Sequence, residues 1–437
     1  MHPWILLSLL LALPSTGQPL PLPPAVEPEF PTSPDRAGQL RSPPDLSEWL
    51  PFRGLTLKEH SAVRMPEPAA DASRVRPRVT HNVRDLNSLL EPIRAANRVP
   101  ALACAVIRSN QIVGMGAVGL RKSDVPSAPV TLADKWHQGS LTKSMTATLA
   151  AILVERGQIQ WGTTLQDVFP SLAASMKPAW RTVRLDWLCS NRGGAPEDLN
   201  ASGIGVELRA FRGTPTEGRR RLLERLTQRD PARTPGTAYE YSNAGFALAG
   251  HMLETVAGRP WEDLLTDTLF APLGMTSAGF GAPATPLRID QPWGHQRISG
   301  DNNPIEPGPA ADNPPAMGPA GTVHCSLLDL ATYAAFHLAG HHGDTPLLSQ
   351  ATMLKLHTAV PNNAGYAYGW NDTTRPWAGG TALTHSGSNV QWYSVIWLAP
   401  NRDFAVVVVC NIAAPSGSDP GATATDQTAA RMIGEFL

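Results

Sequence analysis

With 437 residues and 42% hydrophobic content, the chain can bury a large core in one big domain or two. Its net charge of −1, without a basic block or an acidic tail, gives no electrostatic footprint for nucleic acid, so no such partner is expected. Cys104, Cys189, Cys325 and Cys410 lack Cys-x-x-Cys spacing, which argues against a zinc site. Oxidation would allow three pairings among them, and buried small apolar residues are the simpler reading.

The chain opens with an apolar run, Trp4 to Leu13, too short to span a bilayer comfortably, followed by the small residues Ser15-Thr16-Gly17. Residues 1–17 are expected to be a secretory signal peptide, although no Lys or Arg precedes the run. The protein is then exported to the periplasm or secreted, with no stable membrane insertion after cleavage. Residues 18–80 are rich in Pro, Glu, Asp and Arg and predict an extended leader or wrapping arm. Residues 81–437 form the main domain.

Leu86–Ala96 has helical spacing, with Pro92 as a kink. Ala101–Arg108 and Gln111–Val118 predict two strands joined at Ser109-Asn110. Gly114-x-Gly116-x-x-Gly119 matches a dinucleotide fingerprint formally, but a loop follows where a helix should open. Glycines relieving crowding on a strand explain it better, and no cofactor is expected. A helix follows Ser140, and from about 150 to 372 helices alternate with Pro/Gly loops. The clearer ones are Arg219–Thr227, Ala244–Val256, Trp261–Leu269, Leu327–Leu338 and Gln350–Leu356. His337, His341, His342 and Asp344 have near-helical metal spacing, but they sit at a helix end where histidines are ordinary, so no metal is assigned. Strand-like runs at Thr381–Thr384, Trp392–Leu398 and Phe404–Ile412 precede a terminal helix, Asp426–Leu437. This order predicts an α+β fold: an antiparallel sheet built from both chain ends, with terminal helices and a large, mostly helical region inserted.

Three short motifs carry chemistry. In Ser140-Leu141-Thr142-Lys143, the serine faces the positive end of a helix and the lysine lies one turn up on the same face. Only Lys143 among the lysines has a serine three residues before it. A lysine acts as base only if burial or a neighbouring cation lowers its pKa. Tyr241-Ser242-Asn243 follows the turn former Pro235-Gly236 and precedes a helix. Tyr241 can serve as general acid or base, and Asn243 can hold both the lysine and a substrate carbonyl. His385-Ser386-Gly387-Ser388 ends a strand, where a small residue at an edge lets a substrate backbone approach. No Gly-x-Ser-x-Gly is present, which argues against an α/β-hydrolase elbow.

Together and in this order, the motifs resemble the serine β-lactamase and penicillin-binding-protein superfamily, and its class C β-lactamase-like and esterase-like branch in particular. The resemblance runs from Asp85 to Leu437 and includes Asp134 and Gly318-Pro319-Ala320-Gly321. It implies a β-lactamase/transpeptidase-like fold in which Ser140 is acylated by an ester, amide or lactam. Lys143 and Tyr241 then share proton transfer, and Asn243 orients Lys143 and the substrate. The same resemblance makes His385, Ser386, Gly387 and Ser388 substrate-binding, with the N–H groups of Ser140 and Ser388 as the oxyanion hole. His385 stands where many relatives carry lysine, beside Tyr241 and the substrate's acidic group. Cys189-Ser190-Asn191-Arg192-Gly193-Gly194 replaces a common His-Thr-Ser-Gly and should lie near the cleft. The implied partner is a small-molecule or short-peptide acyl substrate. A D,D-carboxypeptidase or D-aminopeptidase is the alternative enzyme, and a non-catalytic envelope-binding protein the alternative of another class.

Overall fold

The computed structural model describes residues 77–437 apart from 346 and 364, so the expected signal peptide and most of the arm lie outside the described residues. In chain order the first elements are β1 (Arg78–Asp85), α1 (Asn87–Ala96), β2 (Ala101–Arg108), β3 (Gln111–Gly119), β4 (Lys135–His137) and α2 (Thr142–Glu155). The inserted region contributes α3 (Pro215–Thr227), α4 (Asn243–Ala257), β5 (Gly279–Phe280), β6 (Gly294–Ile298), β7 (Asp301–Ile305), β8 (Val323–Ser326) and α5 (Leu327–His341). The chain closes with β9 (Asn371–Arg375), β10 (Gly380–Ser388), β11 (Tyr393–Ala399), β12 (Phe404–Cys410) and α6 (Pro420–Phe436).

The main sheet runs β1-β3-β2-β12-β11-β10-β9, joining both ends of the described chain as expected. At its centre β12, Phe404-Ala-Val-Val-Val-Val-Cys410, is buried along its whole length. A continuous β-branched run of this kind suits a strand covered on both faces. Helix α5 packs on one face of β12, and α6 on the other. Gly114 and Gly116 let the outer helices approach β3. A Cβ on Gly114 would lie 2.9 Å from the Phe436 ring, and one on Gly116 would lie 3.0 Å from Leu90. The glycine pattern is therefore a packing device.

The sheet departs from the expectation in one strand: β1 pairs parallel to β3, so the sheet is mixed. Its start at Arg78 also places the expected boundary at 80/81 inside a strand. The Arg-Val-Thr-His-Asn-Val-Arg-Asp segment has too few apolar positions to announce itself. The inserted region, expected to be mostly helical, also holds the β6–β7 hairpin and the strands β5 and β8, which complete a three-stranded sheet with β4 in the order β4-β8-β5. Pro92 sits inside α1 without ending it. The four cysteines are free and buried. His337 faces His357, Nδ1 to Nε2, at 2.8 Å, and His342 pairs with the Pro400 carbonyl. Among the described residues no group of His, Cys, Asp and Glu is arranged to hold a metal, and no helix is long and apolar enough to cross a membrane.

Candidate active site

Helix α2 is buried at every residue from Thr142 to Leu153, consistent with its Ala/Leu/Thr composition on all sides. A 3₁₀ turn, Gly139–Leu141, leads into it and carries Ser140. Gly139 has φ +51°, and a Cβ there would lie 2.4 Å from the Ser388 nitrogen. Gly387 meets the same turn from the other side: its Cβ would lie 2.0 Å from the Gln138 carbonyl oxygen and 2.7 Å from the Ser140 nitrogen. Two glycines thus bring the backbones of Ser140 and Ser388 against each other.

Lys143 is fully buried. Its Nζ lies 2.9 Å from Ser140 Oγ and donates to Asn243 Oδ1 at 2.6 Å and to the Ala320 carbonyl at 2.8 Å. All three partners are neutral. Burial pushes its pKa well below the ordinary lysine value of 10.5. The Tyr241 ring centroid is 4.8 Å from the same Nζ. From sequence Tyr241 could serve as general acid or base, and a lysine cation beside it would ease loss of its proton. Instead its desolvated surroundings push the phenol pKa up, against a smaller opposing effect of its hydrogen bond with Ser140. Burial disfavours the cation of Lys143 and the phenolate of Tyr241 alike, so the lysine is the base candidate and the tyrosine the proton donor.

Residue 243 opens α4, and Ser242 caps it by accepting from the Gly245 N–H at 3.1 Å. The departing loop at 189–194 holds this segment in place. Asn191, at φ +57°, accepts from the Ser242 N–H through its side chain at 3.0 Å and from the Glu240 N–H through its carbonyl at 2.8 Å. It therefore grips the chain on both sides of Tyr241.

Strand β10 extends beyond the expected run, because Ser386 and Gly387 pair with Val395 and Ser394 of β11. It is not an edge strand throughout: β9 covers Gly380–Thr384, and only the part from His385 onward lacks a β9 partner. Ser386 is exposed there, while His385 is buried. His385 Nδ1 donates to the Ser386 carbonyl at 2.6 Å, and its Nε2 accepts from the Tyr366 hydroxyl at 3.2 Å. Burial, then the nearby Lys143, lowers its pKa to about 3. The imidazole is neutral with both nitrogens engaged, so it offers no cation to the acidic group it was expected to face. The structure thus brings all three motifs together. Sequence reasoning missed Tyr366 and the Lys143 acceptor role of Ala320: the first lies in a loop without periodicity, and a backbone carbonyl leaves no side-chain signature.

The beta-lactamase family model matches residues 86–430. Penicillin-binding protein 4 of Amycolatopsis lactamdurans is 26% identical over 333 residues, covering 74% of this chain and 83% of that protein. An unguisins hydrolase of Aspergillus campestris is 25% identical over 328 residues, covering 72% of this chain and 58% of that protein. The crystal structure of a class C beta-lactamase from Rhodobacter sphaeroides superposes with a TM-score of 0.60 at 20% identity, over 79% of this chain and 98% of that one. The chain belongs to the beta-lactamase family and is a serine hydrolase of that type.

Proposed function

We propose that the protein hydrolyses uncharged esters or amides through an acyl-Ser140 intermediate, with the Lys143 amine as general base. The observation that carries this reading is a fully buried lysine 2.9 Å from Ser140 Oγ with no carboxylate partner among the described residues. As a neutral amine, Lys143 donates two hydrogens to Asn243 and Ala320 and turns its lone pair to the serine hydroxyl. The hydroxyl proton passes to Nζ as Oγ bonds to the substrate carbonyl carbon. The oxyanion then draws on the N–H groups of Ser140 and Ser388. When the carbonyl carbon loses its bond to the leaving group, that group takes a proton from Tyr241, which recovers one from the Lys143 ammonium. Water, deprotonated in turn by Lys143, attacks the acyl carbon; the bond to Oγ breaks, Oγ takes its proton back from the Lys143 ammonium, and the acid leaves with Ser140 and the neutral amine restored.

The neutral, fully engaged His385 supports an esterase-like substrate range over one built on a carboxylate anchor. A second reading, cleavage of a short peptide, is favoured by the part of β10 beyond β9, an edge on which an extended backbone could pair. A fluorophosphonate probe should label wild type and not Ser140→Ala; absence of Ser140-dependent labelling would overturn the proposal. Nitrocefin, p-nitrophenyl butyrate and a D-Ala-D-Ala peptide, compared side by side, should show ester cleavage with weak lactam turnover. Strong cephalosporin hydrolysis without ester cleavage would contradict the substrate class. Export through residues 1–17 belongs to the same proposal, and a secreted form beginning at Gln18 is expected from N-terminal sequencing.

A further inference from the structure

His137, the last residue of β4, is fully buried two positions before the turn glycine Gly139. Its Nδ1 accepts from the Gly139 N–H at 3.1 Å, which places the ring proton on Nε2. That Nε2 donates to the Asp312 carboxylate at 2.9 Å. Asp312 is buried as well and accepts from Asn389 Nδ2 at 3.1 Å and from the Asn313 N–H at 2.7 Å. Asn389, also buried, follows Ser388 directly, and its Oδ1 accepts from the Gln391 N–H at 3.3 Å. A continuous chain of hydrogen bonds therefore joins the residue before Ser140 to the residue after Ser388. These are the two segments whose N–H groups face the reacting carbonyl in the acyl-Ser140 reading, on which this inference rests.

We propose that His137, Asp312 and Asn389 are positioning residues that set the separation of the two oxyanion donors. None of them touches the nucleophile's proton path through Lys143. Their contribution should therefore appear in stabilisation of the tetrahedral state and not in substrate affinity. Steric contact between Gly139 and Ser388 limits how closely the two backbones approach. Ser394 Oγ, donating to the Gln138 carbonyl at 2.8 Å, ties the turn to the strand paired with Gly387, and the relay adds a second tie that acts at residues 139 and 389 themselves. An amide at 312 cannot replace the carboxylate. If its oxygen faces His137, its NH₂ confronts the donors of Asn389 and Asn313. If its NH₂ faces His137, the ring proton must move to Nδ1 and the Gly139 link is lost.

The test uses Asp312→Asn, Asn389→Ala and the double variant, with p-nitrophenyl butyrate kinetics, fluorophosphonate labelling and the affinity of a phenylboronic acid that mimics the tetrahedral state. Asp312→Asn should lower kcat about 10- to 100-fold with KM within about twofold, and weaken boronate binding by the same factor as kcat. Asn389→Ala should lose about 10-fold, and the double variant no more than Asp312→Asn alone, because both cut one relay. Folded single variants with wild-type kcat and boronate affinity would overturn the proposal, as would losses that multiply in the double variant. If Asp312→Asn does not fold, Asn389→Ala decides between the same two outcomes. Failure of the wild type itself to be labelled would overturn the acyl-Ser140 reading and this inference together, whereas equal labelling of wild type and variants removes only the relay.

Discussion

Two fully buried cations divide the labour of this molecule. Arg219, on α3, lies between Glu254 and Glu262, with Nη2 donating to Glu254 Oε2 at 2.6 Å and to Glu262 Oε2 at 2.9 Å. Burial of Glu254 opposes its ionisation, but hydrogen bonds from His251 and Arg219 bring its pKa down to about 2. Lys143 is equally buried and, among the described residues, its hydrogen-bond partners are neutral oxygens. A buried charge with carboxylate partners locks two helices together. One without them is under pressure to give up its proton, which is what a base beside a serine requires. The same burial therefore serves structure in one place and chemistry in the other.

Substitution of each cation by methionine should separate the two roles. Lys143→Met is expected to lower kcat/KM by about 10³- to 10⁴-fold while leaving unfolding free energy within about 1 kcal/mol of wild type, since removing the buried lysine's desolvation penalty offsets the two acceptors left without a donor. Chemical denaturation alongside ester kinetics checks both halves, and a large loss of stability would show that Lys143 is structural. Arg219→Met should do the reverse. Stability falls by about 3–5 kcal/mol because two carboxylates are left without their cation. In the protein that remains folded, kcat stays within about threefold of wild type.

Tyr241→Phe tests the assignment of the proton donor. Loss of the hydroxyl should reduce kcat about 100-fold, with the deficit shrinking as the leaving group becomes more acidic. An equal loss for nitrophenyl and alkyl esters would contradict that role. The smallest expected effect is a pH dependence. In wild type Glu254 binds its proton less readily folded than unfolded, so its contribution is present above about pH 4.5 and is lost as the pH falls towards 2. Without Arg219 the His251 interaction remains to oppose burial, so the folded carboxyl is depressed less and the variant has less stability to lose in acid. The stability gap between wild type and Arg219→Met should therefore narrow as the pH drops, and a constant gap would argue against the pairing.

Much of this was legible because periodicity and special backbone positions leave marks in sequence. The central β-branched run at Phe404–Cys410, the helix after Ser140 and the glycines of β3 each declared a local need. Strand β1 did not, because its place comes from pairing with β3 and not from its own pattern. The motif residues could be named in advance, but their charge states could not. The elevated Tyr241 pKa and the depressed His385 pKa depend on enclosure by distant segments such as Tyr366 and Lys143. Asn191 was singled out as part of a departing loop, yet its grip on Glu240 and Ser242 is visible only in three dimensions.

The central claim is that Lys143 works as a neutral amine. The pH dependence of Ser140 acylation by a fluorophosphonate, measured for wild type and Lys143→Met, tests it most directly. The rate should reach a plateau well below the ordinary lysine value of 10.5, with that inflection absent from the slow Lys143→Met variant. A wild-type rate that keeps rising through pH 10.5 with no earlier inflection would contradict it.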